Sequence, residues 1–140
     1  MIIAVDFDGT IVEDRYPEIG RERPFATQTL RMLIAEHHRI ILWTVREGHC
    51  LEEALDWCRE RGVEFYAVNR DYPEEQEEHK TFSRKIKADV FIDDRNVGGL
   101  PDWGVIYQMI HDKKSYHDIV LAELGEEAPQ TKKRKFKFFG

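Results

Sequence analysis

Three short stretches of this 140-residue chain carry side chains suited to one kind of chemistry: Asp6 and Asp8 in DFDGT, Thr44 after ILW, and Asp93 and Asp94 in FIDD. Side chains alternate along an extended strand, so Asp6 and Asp8 share a side while Phe7 points into the core. Two carboxylates that meet one substrate can divide the labour. Asp6, at the strand's end, can attack phosphorus and form an aspartyl phosphate. Asp8 can give a proton to the leaving oxygen and later activate water. Gly9 lets the chain turn sharply just beyond them.

Carboxylates this close repel, so either one of them carries a proton or a cation sits among them. Phosphoryl transfer makes Mg2+ the natural cation. It is hard, prefers oxygen and keeps several waters, so Asp6, Asp93 and a main-chain carbonyl near Asp8 would suffice alongside a substrate oxygen. The phosphoryl group also needs donors aimed at its oxygens. Thr44, the backbone amides that follow Asp6, among them those of Gly9 and Thr10, and a lysine can supply them. Lys80, Lys85 and Lys87 all precede the last of these stretches, and Lys85 is the choice.

Such groups work together only if the fold brings them to one place. Residues 2–7 (IIAVDF) form an almost uninterrupted apolar run, as expected of a strand buried on both faces of a parallel sheet. Phe25, Leu30, Leu33 and Ile34 lie at helical spacing over residues 25–37, with Thr27 as a possible cap. Ile40–Trp43 reads as a second strand, and a helix with Leu51, Ala54, Leu55 and Cys58 on one face follows, stopped by Gly62. Residues 63–68, 88–92 and 105–107 suggest three further strands, the charged stretch 73–87 a helix, and 115–124 a last helix. Strands that alternate with helices imply a parallel sheet with its ligand groups at the strands' carboxyl ends. The expected fold class is therefore α/β: a single Rossmann-like three-layer domain with a mostly parallel central sheet of about five strands.

DFDGT, the strand ending LWT, a lysine, and FIDD also stand in the order of the four signature motifs of the haloacid dehalogenase (HAD) superfamily, which the chain resembles over residues 6–94. The resemblance implies Asp6 as nucleophile and metal ligand, and Asp8 as acid/base with its main chain at the metal. It implies Thr44 and Lys85 as phosphate holders, Asp93 as metal ligand and Asp94 as a supporting carboxylate. The stretch KIKADVFIDD favours Lys85 over its neighbours. The gaps after DFDGT and after Thr44 have no spare length for a cap domain, so the resemblance implies a capless member. Its site would be open to a phosphorylated substrate, including macromolecular ones. Arg15, Tyr16, Arg21 and Arg23 fall in a loop expected at the site's edge. His49 and Arg46 follow Thr44, and Arg46 is the one expected to bind substrate. The expected activity is Mg2+-dependent hydrolysis of phosphate monoesters. A phosphotransferase of the same superfamily and a non-catalytic Mg2+- or phosphate-binding module are the alternatives. A response-regulator receiver would carry adjacent acids first and a lone Asp later, the reverse of the order here. Halide displacement would leave Asp8 superfluous.

Composition narrows the remaining classes. Hydrophobic residues make up 41% and charged residues 34%, a globular balance. No apolar run approaches the roughly 20 residues of a membrane span, and the acids at positions 6 and 8 are unlike a signal peptide. A cytoplasmic location is therefore expected. Cys50 and Cys58, in one predicted helix, read as reduced thiols. The formal net charge is −6, and the +5 of Lys132, Lys133, Arg134, Lys135 and Lys137 leaves −11 on residues 1–131. The body, residues 1–124, is read as the catalytic domain, and 125–140 as a basic, flexible tail. An acidic body argues against broad nucleic-acid binding. The tail, where Phe136, Phe138 and Phe139 alternate with cations, could touch a membrane surface or stack on single-stranded nucleic acid, which leaves nucleic acid open as a partner.

Overall fold

The first apolar run folds as strand β1 (Ile2–Val5), with Ile3 and Val5 turned to one face of the sheet and Ala4 to the other. The structure, a computed structural model, describes residues 1–75 and 86–125. After a tight turn the chain makes an antiparallel hairpin, β2 (Val12–Arg15) and β3 (Glu18–Glu22), where the sequence alone suggests a loop. Both strands are largely polar and exposed, so no apolar alternation announces them. Val12 and the half-buried Ile19 anchor them to the core. Gly20 is needed for the two strands to meet, since a Cβ there would lie 2.0 Å from the Glu13 carbonyl oxygen.

Helix α1 (Ala26–Ala35) buries Leu30 and Leu33. Its cap position is held by Phe25 rather than Thr27. Thr27 lies inside the first turn, where its amide and hydroxyl donate to the Glu22 carboxylate at 3.0 and 2.6 Å, so β3 satisfies an orphan donor of the helix. Strand β4 (Arg39–Leu42) and helix α2 (Gly48–Glu60) follow, and Gly62, at φ +78°, ends the latter as expected. The third predicted strand shortens to β5 (Ala67–Val68), and the fourth to β6 (Val90–Ile92).

The fifth predicted strand is a correction. Residues 105–107 lie inside helix α3 (Trp103–His111). Val105, Ile106 and Tyr107 are strand formers taken singly, but the buried residues are Trp103, Ile106 and Ile110, spaced for one helical face. Periodicity and burial outweigh local propensity here. Helix α4 (Tyr116–Glu123) closes the described chain, with a capping box between Ser115 and Asp118.

The fold is α/β. β5, β4, β1 and β6 form, in that order, a four-stranded parallel sheet, with Ile3 beside Ile40 and Val90, and Val5 beside Leu42 and Ile92. Helices α1, α2 and α3 bury Leu33, Ala54, Cys58 and Ile106 against Ile3, Val5, Ile40 and Leu42. On the opposite face Ala4, Ile41 and Ala67 are covered by Ile86, and among the described residues no helix contributes to that cluster. The helix expected over 73–87 falls mostly outside the described residues, as does the basic tail. Among the described residues no helix is long and apolar enough to cross a membrane.

Chain order sets the location of the site. From β1 the chain steps outward to β4 and β5, then crosses to β6 on the other side of β1. The connections diverge between β1 and β6, and a crevice forms at the carboxyl ends of these strands, where open α/β sheets bind ligands.

Candidate functional site

Asp6 follows β1 directly and Asp93 follows β6. The Asp6 amide donates to the Ile92 carbonyl at 3.0 Å, and the Trp43 amide to the Val5 carbonyl at 2.8 Å, so the sheet's bonding continues past its strands and fixes Asp6 and Thr44 side by side. A cavity of about 640 Å³ opens here. Asp6, Asp8, Thr44 and Asp93 line it, together with Asp14, Tyr16, Trp43, Val45, Asn69 and Arg95.

Asp6, Asp93 and Asp94 each offer a carboxylate oxygen, and these atoms all lie within 4.8 Å of one another. Burial pushes the Asp6 carboxyl up to about 7; the Phe7 amide, donating to Asp6 Oδ1 at 2.8 Å, opposes this, and the charges of Asp93, Asp94 and Asp8 add to the rise. Burial likewise raises Asp94. Three hard oxygen donors whose charges burden one another form a donor set that a hard divalent cation would relieve, so the residues fit Mg2+. The Asp8 carboxylate is not part of this cluster.

Asp94 is held from behind. Its amide donates to Thr10 Oγ1 at 3.1 Å, and the Thr10 hydroxyl returns a bond to Asp94 Oδ1 at 3.3 Å. Thr10 is fully buried, and its carbonyl accepts from Trp103 Nε1 at 3.0 Å. Thr10, expected to bind substrate, is engaged here with the Asp94 carboxylate and amide. Gly9, also expected at the substrate, is engaged within the turn. Its amide donates to the Val12 carbonyl at 2.7 Å, and the Thr10 amide to Phe7 at 3.2 Å, so neither is aimed at a ligand. Gly9 is required by space and conformation instead, because at φ +82° a Cβ would stand 2.3 Å from Asp94 Oδ2.

Thr44 is placed by Asn69, whose Oδ1 accepts from the Thr44 amide at 2.8 Å. Asn69 itself adopts φ +55° just after β5, and its amide donates to the Leu42 carbonyl. The Thr44 oxygen accepts from the Arg46 amide at 3.1 Å, leaving its hydroxyl proton to donate into the cavity. Arg46 does not reach the cavity. It is 1% exposed, and its guanidinium forms a two-nitrogen pair with Asp8 at 2.7 and 2.8 Å. The side chain expected to bind substrate is engaged instead with another side chain, Asp8.

Lys85 and Lys80 lie outside the described residues. Lys87 is described and does not line the cavity, and its amide donates to the Asp71 carboxylate. Of the loop residues expected at the edge, Tyr16 lines the cavity, whereas Arg23 donates through Nε to the Gly9 carbonyl at 2.9 Å and braces the turn. Among the described residues the single cation at the cavity wall is Arg95, which the sequence reading missed. Its place two residues past Asp93, whose Oδ1 accepts the Arg95 amide at 3.0 Å, was the available signal. Asn69, Trp43 and Val45 were missed as well.

No protein-family model and no curated protein matches the chain. Among solved structures it is similar to a conserved protein from Bacteroides thetaiotaomicron, with a TM-score of 0.81 and 68% sequence identity over 85% of this chain and 96% of that one.

Proposed function

We propose that this chain, which belongs to one family with the conserved Bacteroides thetaiotaomicron protein, is a Mg2+-dependent phosphohydrolase of the haloacid dehalogenase type acting on phosphate monoesters. The observation that carries the reading is the set of three carboxylates, Asp6, Asp93 and Asp94, gathered within 4.8 Å at the ends of β1 and β6. The parallel sheet and the strand-end places of DFDGT, Thr44 and FIDD support the assignment to that superfamily.

In this reading a carboxylate oxygen of Asp6 attacks phosphorus as the ester P–O bond breaks, and Asp8 gives the leaving oxygen its proton. Water then attacks the aspartyl phosphate and passes a proton to Asp8, which returns Asp8 to its protonated form, regenerates the Asp6 carboxylate and releases inorganic phosphate. Thr44 donates to a phosphoryl oxygen. Mg2+, held by Asp6 and Asp93 with Asp94 in support, would neutralise charge on the phosphoryl oxygens and among the acids. Between Thr10 and α1 the chain builds a hairpin and nothing larger, which keeps the cavity open to bulky leaving groups.

The test is release of inorganic phosphate from an aryl phosphate and a panel of metabolite phosphates, in Mg2+ and in chelator. The expected result is Mg2+-dependent turnover that Asp6→Asn abolishes. Folded wild type that binds Mg2+ yet releases no phosphate from any substrate would overturn the enzyme reading, and transfer of the phosphoryl group to an added alcohol in preference to water would make it a transferase.

A further inference from the structure

Arg46 follows Thr44 by two residues, as a substrate-binding cation would, yet every N–H of its guanidinium is spent inside the protein. Nε donates to Asp8 Oδ2 at 2.7 Å. Nη2 donates to Asp8 Oδ1 at 2.8 Å and to the Glu18 carbonyl at 2.9 Å. Nη1 donates to the carbonyls of Pro17 at 3.1 Å and Cys50 at 3.2 Å. A guanidinium has five such donors, so none remains for a ligand. Its flat faces are occupied too, with the Phe7 ring centre 5.2 Å away and that of Tyr16 5.1 Å away.

This one buried group therefore joins the end of β1, the turn of the hairpin and the first turn of α2. Carboxylate recognition by two parallel N–H bonds fixes the plane of the carboxylate as well as its distance. Lysine, a point charge with three rotatable donors, could not do the same. The pairing also accounts for the absence of the Asp8 carboxylate from the neighbouring Asp6, Asp93 and Asp94 cluster, where it would otherwise be a fourth acidic ligand.

We propose that Arg46 is a positioning residue that locks the Asp8 carboxylate to the turn of the β2–β3 hairpin, so that a leaving group seated beside Tyr16 meets Asp8 in a fixed orientation. The proposal rests on the phosphohydrolase reading. It assigns the hairpin turn a part in the reaction through the carbonyls of Pro17 and Glu18 that hold Arg46.

Arg46→Lys, which keeps the charge and loses the fork, tests it on two esters. One is an alkyl phosphate, whose leaving group needs a proton, and the other is dinitrophenyl phosphate, whose leaving group does not. The variant is expected to lose at least about tenfold more kcat on the alkyl ester than on the dinitrophenyl ester, with KM changed by less than about twofold. On an Asp8→Asn background it should cost nothing further on the alkyl ester. Equal losses on both esters, additive losses in the double variant, or a raised KM with kcat intact would each overturn it, the last by returning Arg46 to substrate binding. A melting cycle of wild type, the two single variants and the double variant needs no turnover. Losses smaller in combination than their sum support the Asp8–Arg46 lock, and additive losses overturn it. If wild type hydrolyses neither ester, the lock is judged on the melting cycle alone, and the phosphohydrolase reading stands or falls on the wider panel of phosphates.

Discussion

Replacing Asp6 by Asn should move activity and stability in opposite directions. The folded protein holds the Asp6 carboxyl at about 7 instead of 3.8, chiefly through burial and further through the charges of Asp93, Asp94 and Asp8. Between these two values the unfolded chain ionises Asp6 while the folded chain resists, so stability falls as pH rises from about 4 to about 7 and stays low beyond. In the fully buried limit that displacement corresponds to about 4 kcal/mol. Asp6 borders an open cavity, and solvent screening leaves about 1–2 kcal/mol of it. Asn has almost the same shape, keeps an oxygen for the Phe7 amide and carries no charge. In chelator at pH 8, Asp6→Asn should therefore melt about 3–8 °C above wild type, and at pH 4 the two should coincide. Mg2+ should raise the wild-type midpoint at pH 8 and shift the variant far less, closing the gap, because the cation relieves the same repulsion that Asn removes. Paired melting curves against pH, with and without Mg2+, measure all of this. Parallel curves, or a variant no more stable than wild type at pH 8, would refute the claim that Asp6 is burdened by burial and like charge.

Three further results follow from the same geometry. Gly9→Ala places a Cβ 2.3 Å from Asp94 Oδ2 on a backbone at φ +82°, so it should destabilise the protein by about 2 kcal/mol and weaken Mg2+ binding in a calorimetric titration; unchanged melting would show that the turn yields freely. His111 is raised above 6.5 by its hydrogen bond to Glu36, and Glu36 is lowered below 4.5 by Tyr107 and then by His111. The α1–α3 pair thus contributes stability from about pH 4.5 upward and loses it as pH rises through the raised His111 value. In Glu36→Gln the imidazole titration followed by NMR should fall back toward 6.5, and an unmoved titration would discount the pair. Burial pushes the Cys58 thiol up to about 12, so native protein should resist alkylation at Cys58 and unfolded protein should not, as peptide mass spectrometry would read directly.

The strands that position the chemistry were legible because parallel strands buried on both faces declare themselves as short apolar runs. IIAV and RIIL needed nothing beyond their own composition, and each is followed directly by a residue of the site, Asp6 and Trp43. The hairpin was not legible, since Val12–Arg15 and Glu18–Glu22 are polar strands held by pairing with each other and by a few anchors in the core. Helix α3 was misread because three strand-forming residues outweighed a helical spacing that becomes visible only when Trp103 and Ile110 are counted with Ile106.

The same distinction explains which site residues could be read. Strand ends are local facts, and Asp6, Asp8, Thr44 and Asp93 reach one cavity because the topology brings strand ends together. The roles of Gly9, Thr10 and Arg46 are relations between distant parts of the chain: Thr10 grips Asp94 across 84 residues, and Arg46 grips Asp8 across 38. Nothing in the spacing TVR distinguishes an arginine that faces a substrate from one that turns inward to hold a carboxylate, because both sit just before a helix. The difference lies in what the hairpin brings down upon it. With the carbonyls of Pro17 and Glu18 fixed by the hairpin turn, an unpaired guanidinium at that spot would leave two acceptors and the Asp8 carboxylate unmatched, and burial makes such gaps expensive. The fold therefore draws Arg46 inward, and the side chain that looked most like a substrate ligand becomes part of the frame that aims another one.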